Sequence, residues 1–166
     1  MKSIQVNIKN TASTQHSQLL NLWEKSIRAT HDFLNEQQIL QIKQLIIHHH
    51  YFDHVQLFHV EHEQKIVGFL GLAYEKIEML FIDPQYFFQG IESNLIDYAV
   101  SLGMKAVDVN EQNKTALNFY QQHGFQQIAR SEMDAEGNPL PILHLRRKAA
   151  TTNNLSDHAM GAKKYQ

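Results

Sequence analysis

One stretch constrains this chain more than any other: EMLFIDPQYFFQGIESNLIDYAVSLG, from Glu78 to Gly103. It reads as a strand, a short loop opened by Asp83-Pro84, a glycine at Gly90 and an amphipathic helix. Helical spacing buries Ile91, Leu95, Ala99 and Leu102, and Gly103 stops the helix. A further short strand, 106–109, follows, so strand, helix and strand imply a parallel pair inside an α/β sheet. The strand, the glycine turn and the helix start also leave free backbone N–H groups on which a phosphate can sit.

The flanking segments fit one such unit. Ile4, Val6 and Ile8 alternate over 4–9 as a first strand. Leu19, Leu22, Trp23 and Ile27 recur at helical spacing over 15–28. After the break THDFLN, Asn35 and Gln38 have capping-box spacing, which starts a second helix at Glu36 with Ile39, Ile42, Leu45 and Ile46 on its apolar face. Residues 55–60, 66–74 and 77–82 read as three strands joined by short links, hence a meander. Gly68 and Gly71 inside the second of them mark a bulge or a close backbone approach. Asn113 caps a last helix that buries Ala116, Phe119 and Tyr120 and ends at Gly124. Residues 125–134 and 140–147 form a hairpin about Glu136-Gly137-Asn138. Residues 1–148 are expected to make one domain, and the polar, aperiodic 149–166 a flexible tail.

Composition narrows the function classes. At 166 residues and 43% hydrophobic, the chain suits a single packed core. A formal net charge of −2 gives no footprint for nucleic acid. With no cysteine, disulfides and thiol chemistry are excluded. The start MKSIQVNIKNTAS is too polar for a signal peptide, and no apolar run reaches membrane length, so the expectation is a cytoplasmic protein with no membrane contact.

Two passages carry a resemblance. Leu80-Phe81-Ile82-Asp83-Pro84 leads into Gly90, and Asn113-x-x-Ala116-x-x-Phe119-Tyr120-x-x-x-Gly124-Phe125 follows. With the order β-α-α-β-β-β-α-β-α-β-β, they resemble the GNAT superfamily of N-acetyltransferases, and Ala29–Leu34 (ATHDFL) resembles its YjaB-like bacterial branch. The resemblance covers about residues 3–147. It implies an α/β (α+β) GNAT-like fold with a mixed, mostly antiparallel sheet flanked by helices. It implies acetyl-CoA as co-substrate between splayed fourth and fifth strands, and a small-molecule or peptide amine as acceptor. Pantetheine would lie against Leu80, Phe81 and Ile82. The pyrophosphate would take the N–H groups of Phe88, Gln89, Gly90, Ile91, Glu92 and Ser93. Asn113 would lie beside the cofactor arm, and Tyr120 would protonate the departing thiolate.

Elementary chemistry supports some of these roles and leaves others open. Asn113 and Tyr120 lie two helical turns apart, about 10 Å along one face, which suits two contacts with one extended ligand. A phenol with a pKa of about 10 is protonated at neutral pH and can act as an acid. A plain core tyrosine would have the same spacing. Glu78, read on the same face as Leu80 and Ile82, is a candidate base for the attacking amine, or else an ion-pair partner of Lys76. His31 and Phe33, in the loop between the first two helices, either line the acceptor pocket or pack on the core. His48-His49-His50, with His54 and His59, invite a metal reading, but neighbours on a helix point about 100° apart and no ligand-spacing pattern accompanies them. No metal is expected, and the protein is expected to be a monomer or a homodimer.

The glycine loop departs from the family. Where the usual pattern is Arg/Gln-x-x-Gly-x-Gly/Ala, this chain has Phe87-Phe88-Gln89-Gly90-Ile91-Glu92. Between Ile77 and Met104 there is no Lys or Arg, while Glu78, Asp83, Glu92 and Asp97 are acidic. A carboxylate beside a pyrophosphate costs about 1 kcal/mol or more in a partly wet site. Glu92 either swings into solvent and leaves the amides free, or caps those amides itself on the helix dipole. The second choice fits an alternative function: a non-catalytic protein of the same fold, with weak or no acetyl-CoA binding, acting as a binding or dimerisation module.

Overall fold

The computed structural model describes residues 6–148. Its strands are β1 (Ile8–Asn10), β2 (Gln56–His62), β3 (Lys65–Ala73), β4 (Lys76–Ile82), β5 (Ala106–Asn110), β6 (Phe125–Ser131) and β7 (Ile142–Arg147). They form one sheet in the order β1-β2-β3-β4-β5-β7-β6. Every neighbouring pair is antiparallel except β4 and β5. The helices are α1 (His16–Thr30), α2 (Glu36–His48), α3 (Ile91–Ser101) and α4 (Lys114–Gln122). This is the mixed, mostly antiparallel sheet flanked by helices that the sequence implies.

The period of two in the strands builds two cores, one on each face. Val67, Ile77, Val107 and Val109 pack with Ile91, Leu95, Ile96 and Tyr120 from α3 and α4. Phe69, Met79 and Phe81 pack with Leu19, Trp23, Ile27 and Ile39 from α1 and α2. Local signals set the boundaries. At the start of α2, Asn35 Oδ1 accepts from the Gln38 amide at 2.8 Å and Gln38 Oε1 from the Asn35 amide at 2.9 Å, a complete capping box. Gly68 is a close approach: a Cβ there would come within 2.8 Å of Ile82 Cδ1 and 3.2 Å of Ile91 Cγ2. Its absence lets the start of α3 lie down on β3 and β4.

Some expectations need correction. The first strand begins at Ile8 rather than residue 4, and residues 4 and 5 lie outside the described range, as does the tail 149–166. Among the described residues it is an edge strand whose three residues pair with Phe58, His59 and Val60. Leu102 is 44% exposed because α3 has ended; Gly103, at φ 92, turns the chain, and Ile96 fills the buried face instead. Ala116 and Phe119 are half-buried, because their side of α4 faces a cavity. A short 3₁₀ turn, Tyr51–His54, follows His50 at φ 48 and buries Tyr51 and Phe52.

Candidate active site at the splay of two parallel strands

Strands β4 and β5 are joined by two register pairs only, Lys76↔Ala106 and Ile77↔Val107. The ladder then stops. The cause is visible on the other edge of β4, where Leu72 pairs with Ile77 and Gly71 with Met79, leaving Glu78 without an opposite residue. One extra residue in a strand bends it and increases its twist. Beyond the bulge, β4 leans away from β5 and leaves a V-shaped gap.

A cavity of about 90 Å³ occupies that gap, well below the several hundred Å³ of an open ligand pocket. Leu80, Phe81 and Ile82 line one wall, Asn113 and Tyr120 the other, and His31 reaches in from the end of α1. Phe88 and Glu92 close one end. Residues from four separate stretches of sequence thus meet at one place.

The side chains differ in how they are held. Asn113 Oδ1 accepts from the Ala116 amide at 3.2 Å, so it is the N-cap of α4. Tyr120 is 2% exposed, with its ring edge-on to Phe125 at 5.6 Å, and burial pushes its hydroxyl well above the ordinary tyrosine pKa. His31 is buried, with Nδ1 2.8 Å from Thr30 Oγ1 and its ring 5.1 Å from that of Phe33. Phe33 does not line the cavity; it packs on the core beneath α1 and α2 and braces His31. Gln89 turns back to the Gln85 carbonyl, Ser93 Oγ lies 3.2 Å from His123 Nε2, and the Ile91 side chain is in the core. Of the loop residues expected at the site, Phe88 and Glu92 alone bring side chains to the cavity.

Glu78 is a correction in orientation. The bulge shifts the alternation by one residue, so Glu78 does not share the face of Leu80 and Ile82. It is buried on the α1–α2 side, where Tyr51 donates its hydroxyl to Glu78 Oε2 at 3.2 Å. It still stands one residue past the last β4–β5 pair, at the vertex of the V.

The loop before α3 has its own electrostatics. Asp83 caps the 3₁₀ turn Pro84–Tyr86 through the Gln85 amide, and Lys25 and Lys65 reach its Oδ2 at 3.1 and 3.4 Å. Burial works to raise the Asp83 pKa, but that amide and the two ammonium groups outweigh it and hold it low. At the start of α3, Glu92 lines the cavity and is only 9% exposed. Burial pushes its pKa up, and the nearby backbone N–H groups of Glu92 and Phe88 work the other way without cancelling it. The side chain is withdrawn from the solvent.

One cluster escaped the sequence reading. Lys76 Nζ donates to Asp108 Oδ2 at 2.7 Å, His144 Nδ1 lies 2.7 Å from Asp108 Oδ1, and His144 Nε2 lies 2.7 Å from Ser131 Oγ. The chain crosses β4, β5, β7 and β6 on the face away from α3 and α4. Its signal was present as single polar residues between apolar ones, in Val107-Asp108-Val109 and Leu143-His144-Leu145. Among the described residues no group of three or more His, Cys, Asp or Glu is disposed to hold a metal ion. The histidine run breaks at His50, whose left-handed backbone separates His48 and His49 from His54. No helix among the described residues is long and apolar enough to cross a membrane.

Comparison with known proteins bears on this geometry. A family model, acetyltransferase (GNAT) domain, matches residues 21–141. The peptidyl-lysine N-acetyltransferase YjaB of Salmonella typhimurium is 34% identical over 142 residues, which cover 84% of this chain and 97% of that protein. The protein of the same description from Escherichia coli K12 is 32% identical over 142 residues, covering 84% and 95%. The solution structure of apo-form YjaB from Escherichia coli matches with a TM-score of 0.78 at 31% identity, over 89% of this chain and 100% of that one. PaiA N-acetyltransferase from Thermoplasma acidophilum, in complex with coenzyme A, matches with a TM-score of 0.66 over 88% and 100%; at 15% identity it speaks for the fold alone.

Proposed function

The chain belongs to the GNAT acetyltransferase family, and from that premise we propose how its residues divide the work of acetylating an amine. It is an N-acetyltransferase that moves an acetyl group from acetyl-CoA to a primary amine. The acceptor, on this reading, is a lysine side chain in a peptide or protein, as the description of the YjaB relatives suggests, and the setting is the cytoplasm.

When bound, acetyl-CoA supplies an activated thioester carbonyl and a thiolate leaving group. The freed edge of β4 at Leu80, Phe81 and Ile82 holds the pantetheine arm, with Asn113 on the opposite wall. Tyr120 is the general acid. Its buried hydroxyl stays protonated across the physiological range, which suits a proton given to a departing thiolate. A lysine ammonium has a pKa of about 10.4 and must lose a proton before it can attack. Glu78, at the vertex and fixed by Tyr51, accepts that proton directly or through water. His31, braced by Phe33, shapes the acceptor end. Gln89, Gly90, Ile91 and Ser93 act through their backbone at the phosphate end.

The observation that carries this reading is that Asn113 and Tyr120 face the splayed edge of β4 across one cavity. Its test is acetyl transfer to a panel of lysine peptides and small primary amines, read by mass spectrometry. Transfer to lysine is expected, and transfer confined to small amines would remove the peptide assignment. The non-catalytic alternative keeps one supporting observation, the acidic Glu92 side chain buried at the end of the cavity where the donor's phosphates are expected.

A further inference from the structure

The polar chain across β4, β5, β7 and β6 is not used by the acetyl transfer described above. Asp108 in β5, His144 in β7 and Ser131 at the end of β6 stand in a row, with 2.7 Å between Asp108 Oδ1 and His144 Nδ1 and 2.7 Å between His144 Nε2 and Ser131 Oγ. A carboxylate oxygen can only accept, so in the neutral ring Nδ1 carries the proton. Nε2 then turns its lone pair to the serine, whose hydroxyl donates. That is the order of acid, base and nucleophile that activates a serine. Lys76 Nζ holds the other oxygen of Asp108 at 2.7 Å and balances its charge. Asp108 is buried, while His144 and Ser131 are half-buried. The apolar cluster beneath α1 and α2 draws on β2, β3 and β4 and, among the described residues, on none of β5, β6 or β7, which agrees with the partial exposure of the serine.

Two other histidines stand between a hydroxyl and a carboxylate, and each lacks one requirement. His59, between Thr11 Oγ1 and Glu61 Oε1, is 2% exposed and closed to a substrate. His123 reaches Ser93 Oγ and Asp97 Oδ1 at 3.2 Å each, and the Asp97 side chain is 73% exposed, so water competes for it. We propose that Ser131, His144 and Asp108 form a second catalytic site, a serine relay that hydrolyses small activated carboxylic esters. Ser131 Oγ bonds to the ester carbonyl carbon and its proton passes to His144 Nε2. The bond from that carbon to the alcohol oxygen breaks, and the alcohol leaves with the proton. Water then gives a proton to the same nitrogen and its oxygen bonds to the acyl carbon; Ser131 Oγ takes the proton back as the carboxylic acid departs. Activated esters suit the site because a good leaving group departs with little help, and the relay supplies the base and its orienter. None of the three residues lines the cavity between β4 and β5, so this activity stands apart from acetyl transfer.

Two probes on the whole chain test this. A fluorophosphonate traps an activated serine, its phosphorus taking the serine oxygen as fluoride leaves; p-nitrophenyl acetate reports ester turnover by absorbance. Peptide mapping is expected to place the phosphonyl group on Ser131. Ser131→Ala, which removes one half-buried oxygen, is expected to lose both the label and the turnover above buffer. His144→Gln is expected to slow both about 100-fold. A wild-type circular dichroism spectrum shows that each variant is folded. Absence of label on Ser131 in the wild-type chain overturns the proposal. Label or turnover that a folded His144→Gln leaves unchanged also overturns it, since the histidine is then no base for the serine. Labelling of Ser131 without ester turnover does so too, because the hydrolytic half of the cycle is then missing. Turnover that survives Ser131→Ala overturns it whether or not the His144 variant folds.

Discussion

The two ends of the cleft are built to different standards. At the thioester end, a bulge opens β4 from β5, Asn113 caps α4, and Tyr120 is packed against Phe125 in the cavity wall. Each feature has a structural reason of its own and leaves space for a ligand. At the phosphate end the buried Glu92 side chain and Phe88, at φ 62, form the cavity wall. One end keeps chemistry available; the other presents an acidic side chain where the family's pattern has a small residue. The lesson is that one architecture can keep its thioester end while the chemistry of its phosphate end changes.

Four substitutions sharpen that contrast, in descending order of effect. Lys76→Met removes the buried ammonium partner of Asp108, leaving it His144, at the vertex that holds β4 to β5, and a loss of about 3 kcal/mol in urea unfolding is expected. A loss below about 0.5 kcal/mol would mean that two backbone pairs alone hold the vertex. Tyr120→Phe is expected to lower kcat about 100-fold, with the coenzyme A dissociation constant nearly unchanged. Steady-state kinetics with wild-type turnover in this variant would take the acid role from the thioester end.

Gly68→Ala acts at the phosphate end, where the new methyl meets Ile82 and Ile91. Overpacking there is expected to cost about 1–3 kcal/mol of stability and to shift the start of α3, seen as lost protection of its amides in hydrogen exchange. Glu92→Gln has the smallest effect on stability, and its sign depends on pH. The folded-state pKa of Glu92 is raised, so its stability contribution is fully present below the ordinary value of 4.5 and is lost as pH rises through the folded value. Wild type and variant should therefore match best in acid, with the variant gaining relative to wild type as the pH rises toward neutrality. Chemical denaturation across that window checks it, and a gap that narrows toward neutral pH would contradict the assignment.

Much of this was legible from local signals. Capping chemistry is short-range, so Asn35 and Asn113 marked helix starts that the structure reproduces. A strand, a helix and a strand joined by short links leave few topologies, so the parallel β4–β5 pair could be anticipated. The cavity residues Leu80, Phe81, Ile82, Asn113 and Tyr120 were found through a motif whose spacing reflects one helix face and one strand edge. The orientation of Glu78 was not legible, because a bulge depends on which residue of β3 comes to lie opposite, and one slip reverses the face. The packing of Tyr51 and Phe52 behind a histidine-rich helix end was also hidden, since it follows from a left-handed turn at His50.

The sequence by itself determined the order of elements, their caps and turns, and the residue types that stand at the cleft, because these follow from periodicity and from bonds between near neighbours. It posed the question of Glu92 without answering it, since a carboxylate at a helix start can face water or the amides. Tertiary structure decided that point. Only when α3 is packed on Gly68, with Phe88 leaning on Phe119, does the Glu92 side chain lie out of the solvent and in the cavity wall. The same holds for Lys76, Asp108, His144 and Ser131, four residues from four strands that meet because the sheet brings them together.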